Sequence, residues 1–332
     1  MTTGTPPLLS VRDLVTEFAR EGAPFRAVDG VSFDVTPGER VALVGESGSG
    51  KSLTVRSVLG LVPPGARVTG GSALFAGRDL LRQSERDLAR VRGGDIALIF
   101  QDPMTSWNPV KRVGVQIGEA LALHGRLPRR QRAMRVVELL RQVAIPAAAE
   151  RVRAFPHQFS GGMRQRGMIA MGLANDPKLL IADEPTTALD VTVQDQVIRL
   201  LRDLGEASGT ALLLITHNLA LVASLCDRIV VLYAGRVVES GPAEAMFRAP
   251  HHPYTLGLLR SVPRIDQPRG ERLTGVPGQP LQDPGHIGGC KFHPRCALAI
   301  PRCAAEEPPL GTLEPGHAVR CWLPLRDAQV AT

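Results

Sequence analysis

A glycine-rich segment near the N-terminus limits what this chain can be more than any other feature does. The segment follows an apolar run, 41–44, and precedes a helix-like run, 53–59. Strand, glycine-rich loop and helix in this order, with the spacing G-x-x-x-x-G-K-[ST], predict a loop that binds the phosphates of a nucleotide. Its residues are Gly45, Glu46, Ser47, Gly48, Ser49, Gly50, Lys51 and Ser52.

Each residue type in this phosphate loop has a chemical task. Glycines let backbone N–H groups curl around a chain of phosphates, where a Cβ would collide. The helix that begins near Gly50 points its positive dipole end at the same anions. Lys51 reaches the terminal phosphates, and the Ser52 hydroxyl binds Mg²⁺. We therefore predict that the chain binds a nucleoside triphosphate together with magnesium.

Length, charge and hydropathy limit the kinds of protein that this chain can be. A chain of 332 residues is long enough for one large domain plus an appendage. The 39 basic against 32 acidic residues give a formal charge of +7, but this charge is spread along the chain rather than gathered in one patch. No stretch approaches the ~18 apolar residues that span a bilayer, and the N-terminus lacks a signal pattern. We expect a soluble chain.

Pattern changes along the chain indicate its organisation. Short strand patterns in 8–36 predict an antiparallel β layer. Residues 102–175 have apolar positions at helical spacing and arginine-rich opposite faces, which predicts an inserted helical subdomain. Two apolar strands, 179–182 and 211–215, flank a helical segment, which indicates a parallel sheet. Proline becomes dense after residue 249, and this change marks a boundary.

Polar residues stand at the ends of the apolar strands. Asp183 and Glu184 end the strand 179–182, and a carboxylate at the C-terminal edge of a parallel sheet lies beside a phosphate loop. We assign Asp183 to Mg²⁺ and Glu184 to the water that attacks the γ-phosphate. His217 follows the next strand, where it can contact the γ-phosphate and that water. Gln101 ends another strand, and its amide is a further candidate ligand for Mg²⁺.

A second anion-binding motif lies far from the first. Ser160, Gly161 and Gly162 precede a helix and offer a hydroxyl and unhindered N–H groups. One chain rarely needs two such sites for one nucleotide. We therefore expect this motif to serve the nucleotide of a partner chain.

The ordered set of motifs resembles the ATP-binding cassette (ABC) ATPases over about residues 8–258. The resemblance implies an α/β P-loop NTPase core with an N-terminal antiparallel β layer, an inserted helical subdomain and ATP hydrolysis. The motifs that occur in the family's order are the phosphate loop, Gln101, the signature Ser160-Gly161-Gly162, Asp183-Glu184, Thr187-Ala188-Leu189-Asp190 and His217.

The same resemblance implies an assembly. Two chains would join head to tail and enclose two ATP molecules between phosphate loops and opposing signatures. Residues 187–190, with Asp190 foremost, would communicate across that interface. An aromatic ring near the N-terminus would stack on adenine, and Phe18 is the choice, with Phe25 as its rival.

Three further segments, 100–109, 159–166 and 249–255, resemble ATPase subunits of oligopeptide and dipeptide permeases. This implies the ATP-hydrolysing subunit of a bacterial peptide importer, peripheral on the cytoplasmic face of the plasma membrane. Its implied partners are a homologous second ATPase subunit, two membrane permease subunits and an extracytoplasmic solute-binding protein. Trp107 stands where that family usually has leucine, on the face expected to receive the coupling helices of the membrane subunits.

Two alternative functions are weighed against peptide import. Importers of nickel and of other small solutes share the 249–255 segment, so the substrate stays open. The alternative from another class is an ABC-type ATPase that acts on nucleic acid, which the basic pI allows. The sequence has no long coiled-coil insertion and no basic patch interleaved with aromatic residues, so we expect no nucleic-acid partner.

The C-terminal extension, 259–332, is expected to be small and irregular, and it holds four of the five cysteines. Four thiolates suit zinc or a four-iron four-sulfur cluster. The intervals of five, six and seventeen residues lack the close cysteine pairs of zinc sites. They match the pattern of dipeptide-permease ATPases, some of which carry the cluster; zinc and reduced thiols are the alternatives. These residues are Cys290, Cys296, Cys303 and Cys321, whereas Cys226 is predicted to be a core residue.

Overall fold

The computed structural model describes residues 5–20, 24–125, 127–187, 189–262, 275–279, 281, 285 and 287–325. By their packing, the residues fall into two compact units. The first, here the signature unit, consists of Met1–Pro6, Thr36–Glu39 and Gln83–Ile215. The second, here the loop unit, consists of Pro7–Val35, Arg40–Arg82 and Thr216–Thr332.

The described residues form twelve strands and twelve helices besides short 3-10 turns. The strands are β1 (Leu9–Phe18), β2 (Phe25–Val35), β3 (Arg40–Val44), β4 (Ala66–Phe75), β5 (Arg78–Asp79), β6 (Ile96–Ile99), β7 (Leu179–Asp183), β8 (Ala211–Thr216), β9 (Arg228–Tyr233), β10 (Arg236–Pro242), β11 (Gly311–Glu314) and β12 (His317–Val319). The helices are α1 (Lys51–Val58), α2 (Glu85–Val91), α3 (Pro103–Ser106), α4 (Val113–Leu123), α5 (Arg129–Gln142), α6 (Ala148–Arg151), α7 (Gly161–Gly172), α8 (Val191–Ser208), α9 (Leu219–Leu225), α10 (Ala243–Arg248), α11 (Pro253–Arg260) and α12 (Pro301–Ala305).

The loop unit contains the predicted antiparallel β layer. Its strands lie in the order β2-β1-β4-β5, and β1 pairs antiparallel with both β2 and β4. Leu9 is buried opposite Val35 on one side and Phe75 on the other. Such cross-strand pairs of apolar and aromatic side chains stabilise the sheet.

The loop unit also carries the strand that delivers the phosphate loop. This strand, β3, pairs parallel with β9, and four of its five residues are buried, as a parallel strand covered on both faces requires. A hairpin turns at Ala234 and Gly235, where β9 and β10 pair antiparallel.

The C-terminal extension is more regular than the sequence predicted. It contributes α12, and β12 pairs antiparallel with β10 while β11 pairs with β12. Every residue of β11 is exposed, so this strand lacks the alternation that reveals a strand in a sequence, and β12, with three residues, is too short to show one. Buried Glu239 of β10 accepts hydrogen bonds from the His251 N–H at 2.7 Å and from His317 Nε2 of β12 at 2.8 Å.

In the signature unit, β8, β7 and β6 form a parallel array in that order. Helices α3 to α7 occupy most of 103–172, where the sequence predicted helices. The helix α5 buries Val136, Leu139 and Leu140 and exposes Arg129 and Arg130, as expected for a solvated basic face. No helix in the described parts of the chain is both long and apolar enough to cross a membrane.

Candidate functional site

The phosphate loop connects β3 to α1, and its backbone requires glycine at two positions. Gly45 has a φ of +150°, and a Cβ there would lie 2.2 Å from the carbonyl oxygen of Leu232. Gly50 has a φ of +98°, and its Cβ would lie 2.7 Å from the carbonyl oxygen of Ala27. Neighbouring backbone therefore excludes a side chain at both positions, which explains why the motif needs glycine there.

Lys51 lies inside the curve of the loop. Its side chain is buried, and Nζ donates to the carbonyl oxygens of Gly45 and Glu46, both at 2.8 Å, and lies 3.3 Å from Ser49 Oγ. The ammonium thus places a positive charge inside the curve of the loop, where the phosphates of a nucleotide would bind. Ser52 follows in the first turn of α1.

His217 and the phosphate loop line one cavity of about 330 Å³ in the loop unit. Gly45 and Glu46 of the loop line this cavity together with His217, and Leu258 and Val276 are among its other lining residues. The structure therefore brings the predicted γ-phosphate contact close to the loop, in a space large enough for a small ligand.

The two candidate adenine-stacking residues form one aromatic pair. Phe18 ends β1, Phe25 begins β2, and their ring centroids lie 6.3 Å apart. Both rings are half-buried. The choice of Phe18 over Phe25 stays a prediction, because the two rings occupy the same place in the fold.

Glu184, in the signature unit, has a strained backbone and a shared carboxylate. Its φ is +48°, a left-handed conformation that non-glycine residues rarely adopt and that often occurs at functional sites. Its Oε2 accepts hydrogen bonds from Gln101 Nε2 at 2.8 Å and from Thr187 Oγ1 at 3.0 Å. Its N–H donates to the Ile215 carbonyl oxygen at 2.8 Å, and Asp183 before it is buried.

The signature residues begin α7. Ser160 caps this helix, since its exposed hydroxyl accepts from the Met163 N–H at 3.3 Å. A Cβ on Gly162 would lie 2.6 Å from Val193 Cγ1, so this glycine permits close packing against α8. Asp190 caps α8 through the Val193 N–H at 2.9 Å. The signature and Asp190 thus share one neighbour; Ala188 lies outside the described residues.

Trp107 is buried, so the expectation that it stands on the surface that receives membrane subunits is wrong for its side chain. Only 4% of the residue is exposed. Its ring covers Gly167 of α7, where a Cβ would lie 3.0 Å from Trp107 Cζ2, and its Nε1 donates to the Arg164 carbonyl oxygen at 3.2 Å. Trp107 therefore packs the segment that follows Gln101 against α7, the helix that begins at the signature.

Comparison with known proteins decides the family. The model of the family described as ABC transporter matches residues 28–187, and that described as oligopeptide/dipeptide transporter, C-terminal region, matches 238–303. The dipeptide transport ATP-binding protein DppD of Escherichia coli (strain K12) is 50% identical over 321 residues, which cover 97% of this chain and 98% of that protein. The chain belongs to the ABC transporter ATPases.

Other members of the ABC transporter ATPases give the same result. The oligopeptide transport ATP-binding protein OppD of Bacillus subtilis (strain 168) is 46% identical over 97% of this chain and 90% of that protein. The dimeric post-hydrolysis structure of the ATP-binding cassette MJ0796, bound to ADP and Pi, superposes with a TM-score of 0.64 at 25% identity, covering 71% of this chain and 98% of that one. The predicted family, fold class and ATPase activity are confirmed.

The four cysteines of the C-terminal extension converge, but their arrangement does not support a metal site. All four line one cavity of about 20 Å³, beside His252 and Phe292. Among the described residues, no three His, Cys, Asp or Glu side chains are placed to hold a metal ion. Burial raises the pKa of Cys290 to about 11 and that of Cys321 to about 12, so these thiols are neutral at neutral pH.

The predicted core role of Cys226 is confirmed. It follows α9 and is buried, and desolvation raises the pKa of its thiol to about 12. A neutral, buried thiol of this kind behaves as a small apolar residue.

Two residues that contact the phosphate loop were missed by the sequence analysis. The Tyr254 hydroxyl accepts from the Glu46 N–H at 2.8 Å, and Arg295 Nη1 lies 2.6 Å from Glu46 Oε2. Arg295 is 249 positions away from Glu46, and no spacing rule relates residues so distant. Tyr254 lies in the 249–255 segment, which indicated a family but not a contact.

Proposed function

We propose that this ABC transporter ATPase powers the uptake of dipeptides or oligopeptides through separate membrane subunits, on the cytoplasmic face of a bacterial plasma membrane. The observation that carries the proposal is the match of residues 238–303 to the C-terminal region of oligopeptide/dipeptide transporters. The relatives named for dipeptide and oligopeptide transport cover nearly the whole chain, which supports the same substrate class.

The proposed roles of the site residues follow the family's motifs. Glu184 deprotonates the attacking water, and His217 contacts the γ-phosphate. The Gln101 amide, which donates to the Glu184 carboxylate at 2.8 Å, would be a ligand of Mg²⁺. The residues that hold ATP are Phe18 at the adenine and Gly45, Glu46, Ser47, Gly48, Ser49, Gly50, Lys51 and Ser52 at the phosphates, with Ser52, Gln101 and Asp183 as Mg²⁺ ligands.

The proposed assembly pairs this chain with a homologous second ATPase subunit. Ser160, Gly161 and Gly162 present a helix N-terminus with an exposed hydroxyl, which suits the γ-phosphate of the partner's ATP. Asp190 would communicate with the partner, and its contact with Val193, a residue that also neighbours Gly162, supports this role. Two permease subunits and an extracytoplasmic solute-binding protein complete the proposed importer.

Isolation of the native complex tests this function. We expect the tagged full-length chain to copurify with a second ATPase subunit and two membrane permeases. In vesicles, a di- or oligopeptide with its binding protein should stimulate ATP hydrolysis by the complex. Stimulation by Ni²⁺ instead, or by DNA in a salt-dependent manner, would contradict the proposal and favour the corresponding alternative.

A second proposal concerns the four cysteines. All four line one cavity, although as placed among the described residues they form no metal-binding group, and their spacing matches that of dipeptide-permease ATPases, some of which carry a four-iron four-sulfur cluster. We propose that Cys290, Cys296, Cys303 and Cys321 hold such a cluster. A cavity of about 20 Å³ has room for about one water, so the thiols have to move outward on loading.

Anaerobic purification tests the cluster. The full-length chain should be brown and contain iron and acid-labile sulfide, and Cys303→Ser should lower both. Cys226→Ser is the matched control. Cys226 is buried where α9 ends and is not one of the four proposed ligands, so its replacement should leave the iron content unchanged. Colourless protein with stoichiometric zinc, or with neither metal, would refute the proposal.

A further inference from the structure

We infer that Arg295, in the C-terminal extension, is a positioning residue for ATP binding, because it fixes the second residue of the phosphate loop. Its guanidinium pairs with the Glu46 carboxylate through two bonds, Nη1 to Oε2 at 2.6 Å and Nη2 to Oε1 at 3.0 Å. Bidentate pairs of this kind are strong and fix direction as well as distance. The family's motifs assign no role to this pair.

The guanidinium is itself held in place from other sides. Its Nε donates to the Pro277 carbonyl oxygen at 2.7 Å, and Nη2 lies 3.3 Å from that of Gly278. Its Cζ lies 5.8 Å from the centre of the Tyr233 ring, within the range of a cation–π contact. Only 4% of the Arg295 side chain is exposed. The charge is therefore preorganised and shielded, and the pair is not an adaptable surface contact.

Glu46 is fixed through all three of its polar groups. Its carboxylate accepts from Arg295, its carbonyl oxygen accepts from Lys51 Nζ at 2.8 Å, and its N–H donates to the Tyr254 hydroxyl at 2.8 Å. Tyr254 is fully buried and packs at 4.7 Å from the Tyr233 ring and 5.4 Å from the Phe292 ring. Two of the three partners, Arg295 and Tyr254, lie in the region matched by the oligopeptide/dipeptide model, so that region directly contacts the phosphate loop.

Charge gives the pair a second consequence. Glu46 places a carboxylate in the loop that receives a polyanion, and an unpaired carboxylate there would repel the phosphates. Arg295 neutralises it at hydrogen-bond distance. Neither side chain is assigned a part in the hydrolysis itself, so losing Arg295 should weaken ATP binding far more than it slows the chemical step at saturating ATP.

Arg295→Met in the full-length chain tests the inference. We expect the Kd for a fluorescent ATP analogue, and the KM for ATP, to rise about tenfold or more, with kcat within about threefold of the original. Arg295→Lys should recover only part of the affinity, because an ammonium cannot form the two-pronged pair. Glu46→Gln combined with Arg295→Met should recover most of it, because the uncompensated charge is gone.

Arg302→Met is the matched control. Arg302 belongs to the same extension and pairs with Glu306 at 2.9 Å, but both side chains are more than half exposed. It should bind ATP as the original chain does. Unchanged affinity in folded Arg295→Met, an equal loss in Arg302→Met, or no recovery in the double variant would each overturn the inference. If Arg295→Met does not fold, the ATP affinities of Arg295→Lys and of the double variant are compared with that of the original chain instead.

Discussion

Glu184→Gln is expected to lower the rate of ATP hydrolysis by about 10²–10⁴-fold, the contribution typical of a general base. Glutamine keeps the shape of the side chain and can still pair with Gln101 and Thr187, but it cannot accept the proton of the attacking water. ATP should therefore bind and stay bound. Phosphate release measures the loss, and size-exclusion chromatography with ATP should show a trapped dimer.

Glu138→Gln is the matched control for this prediction. Glu138 lies on α5 in the same unit, pairs with Arg135 at 3.1 Å and is more than half exposed on its side chain. Its replacement should leave turnover unchanged. Hydrolysis at the original rate in Glu184→Gln would refute the assignment of the base and direct attention to His217.

Trp107→Ala is expected to destabilise the signature unit by about 3–5 kcal/mol, the range for removing a large buried aromatic side chain. The change leaves a cavity over Gly167 and removes the hydrogen bond to the Arg164 carbonyl oxygen. The first turns of α7 should loosen, and ATP-dependent dimerisation should weaken with them. Chemical denaturation followed by circular dichroism gives the free energy of unfolding.

The chain offers its own control for this experiment. Trp322, its other tryptophan, is only half-buried and donates to the Glu306 carbonyl oxygen at 3.1 Å. Trp322→Ala should therefore cost much less than Trp107→Ala. Trp107→Leu should fall between them, because leucine fills part of the space. If the Trp107→Ala variant and the original chain have the same free energy of unfolding, the packing over Gly167 does not contribute to stability.

The phosphate loop and the helix that the signature begins could be predicted because their chemistry is local. The residues from Gly45 to Ser52 are adjacent in the sequence, and Ser160 caps the helix that follows it directly. The order of these motifs along the chain then sufficed for the family. None of these inferences required knowing which distant segments meet.

Contacts between distant segments could not be predicted. The bond between Gln101 and Glu184 joins residues 83 positions apart, and each had a separate role in the sequence analysis. Trp107 was predicted to lie on the face that receives the membrane subunits, because of its place in a motif. Its burial, however, depends on a glycine 60 positions later. Arg295 carried no signal, since an arginine in a proline-rich extension looks the same whether it is exposed or paired.

The attachment of β12 to β10 has a consequence for work with shortened forms of the protein. The strand β10 lies at what would otherwise be an open side of its sheet, and β12 occupies its free N–H and C=O groups. A chain cut before residue 311 would leave these groups bare beside apolar Val237 and Val238. Bare strand edges join to each other, so such a fragment should aggregate even though it keeps every ATP-binding motif. The C-terminal strands thus protect solubility.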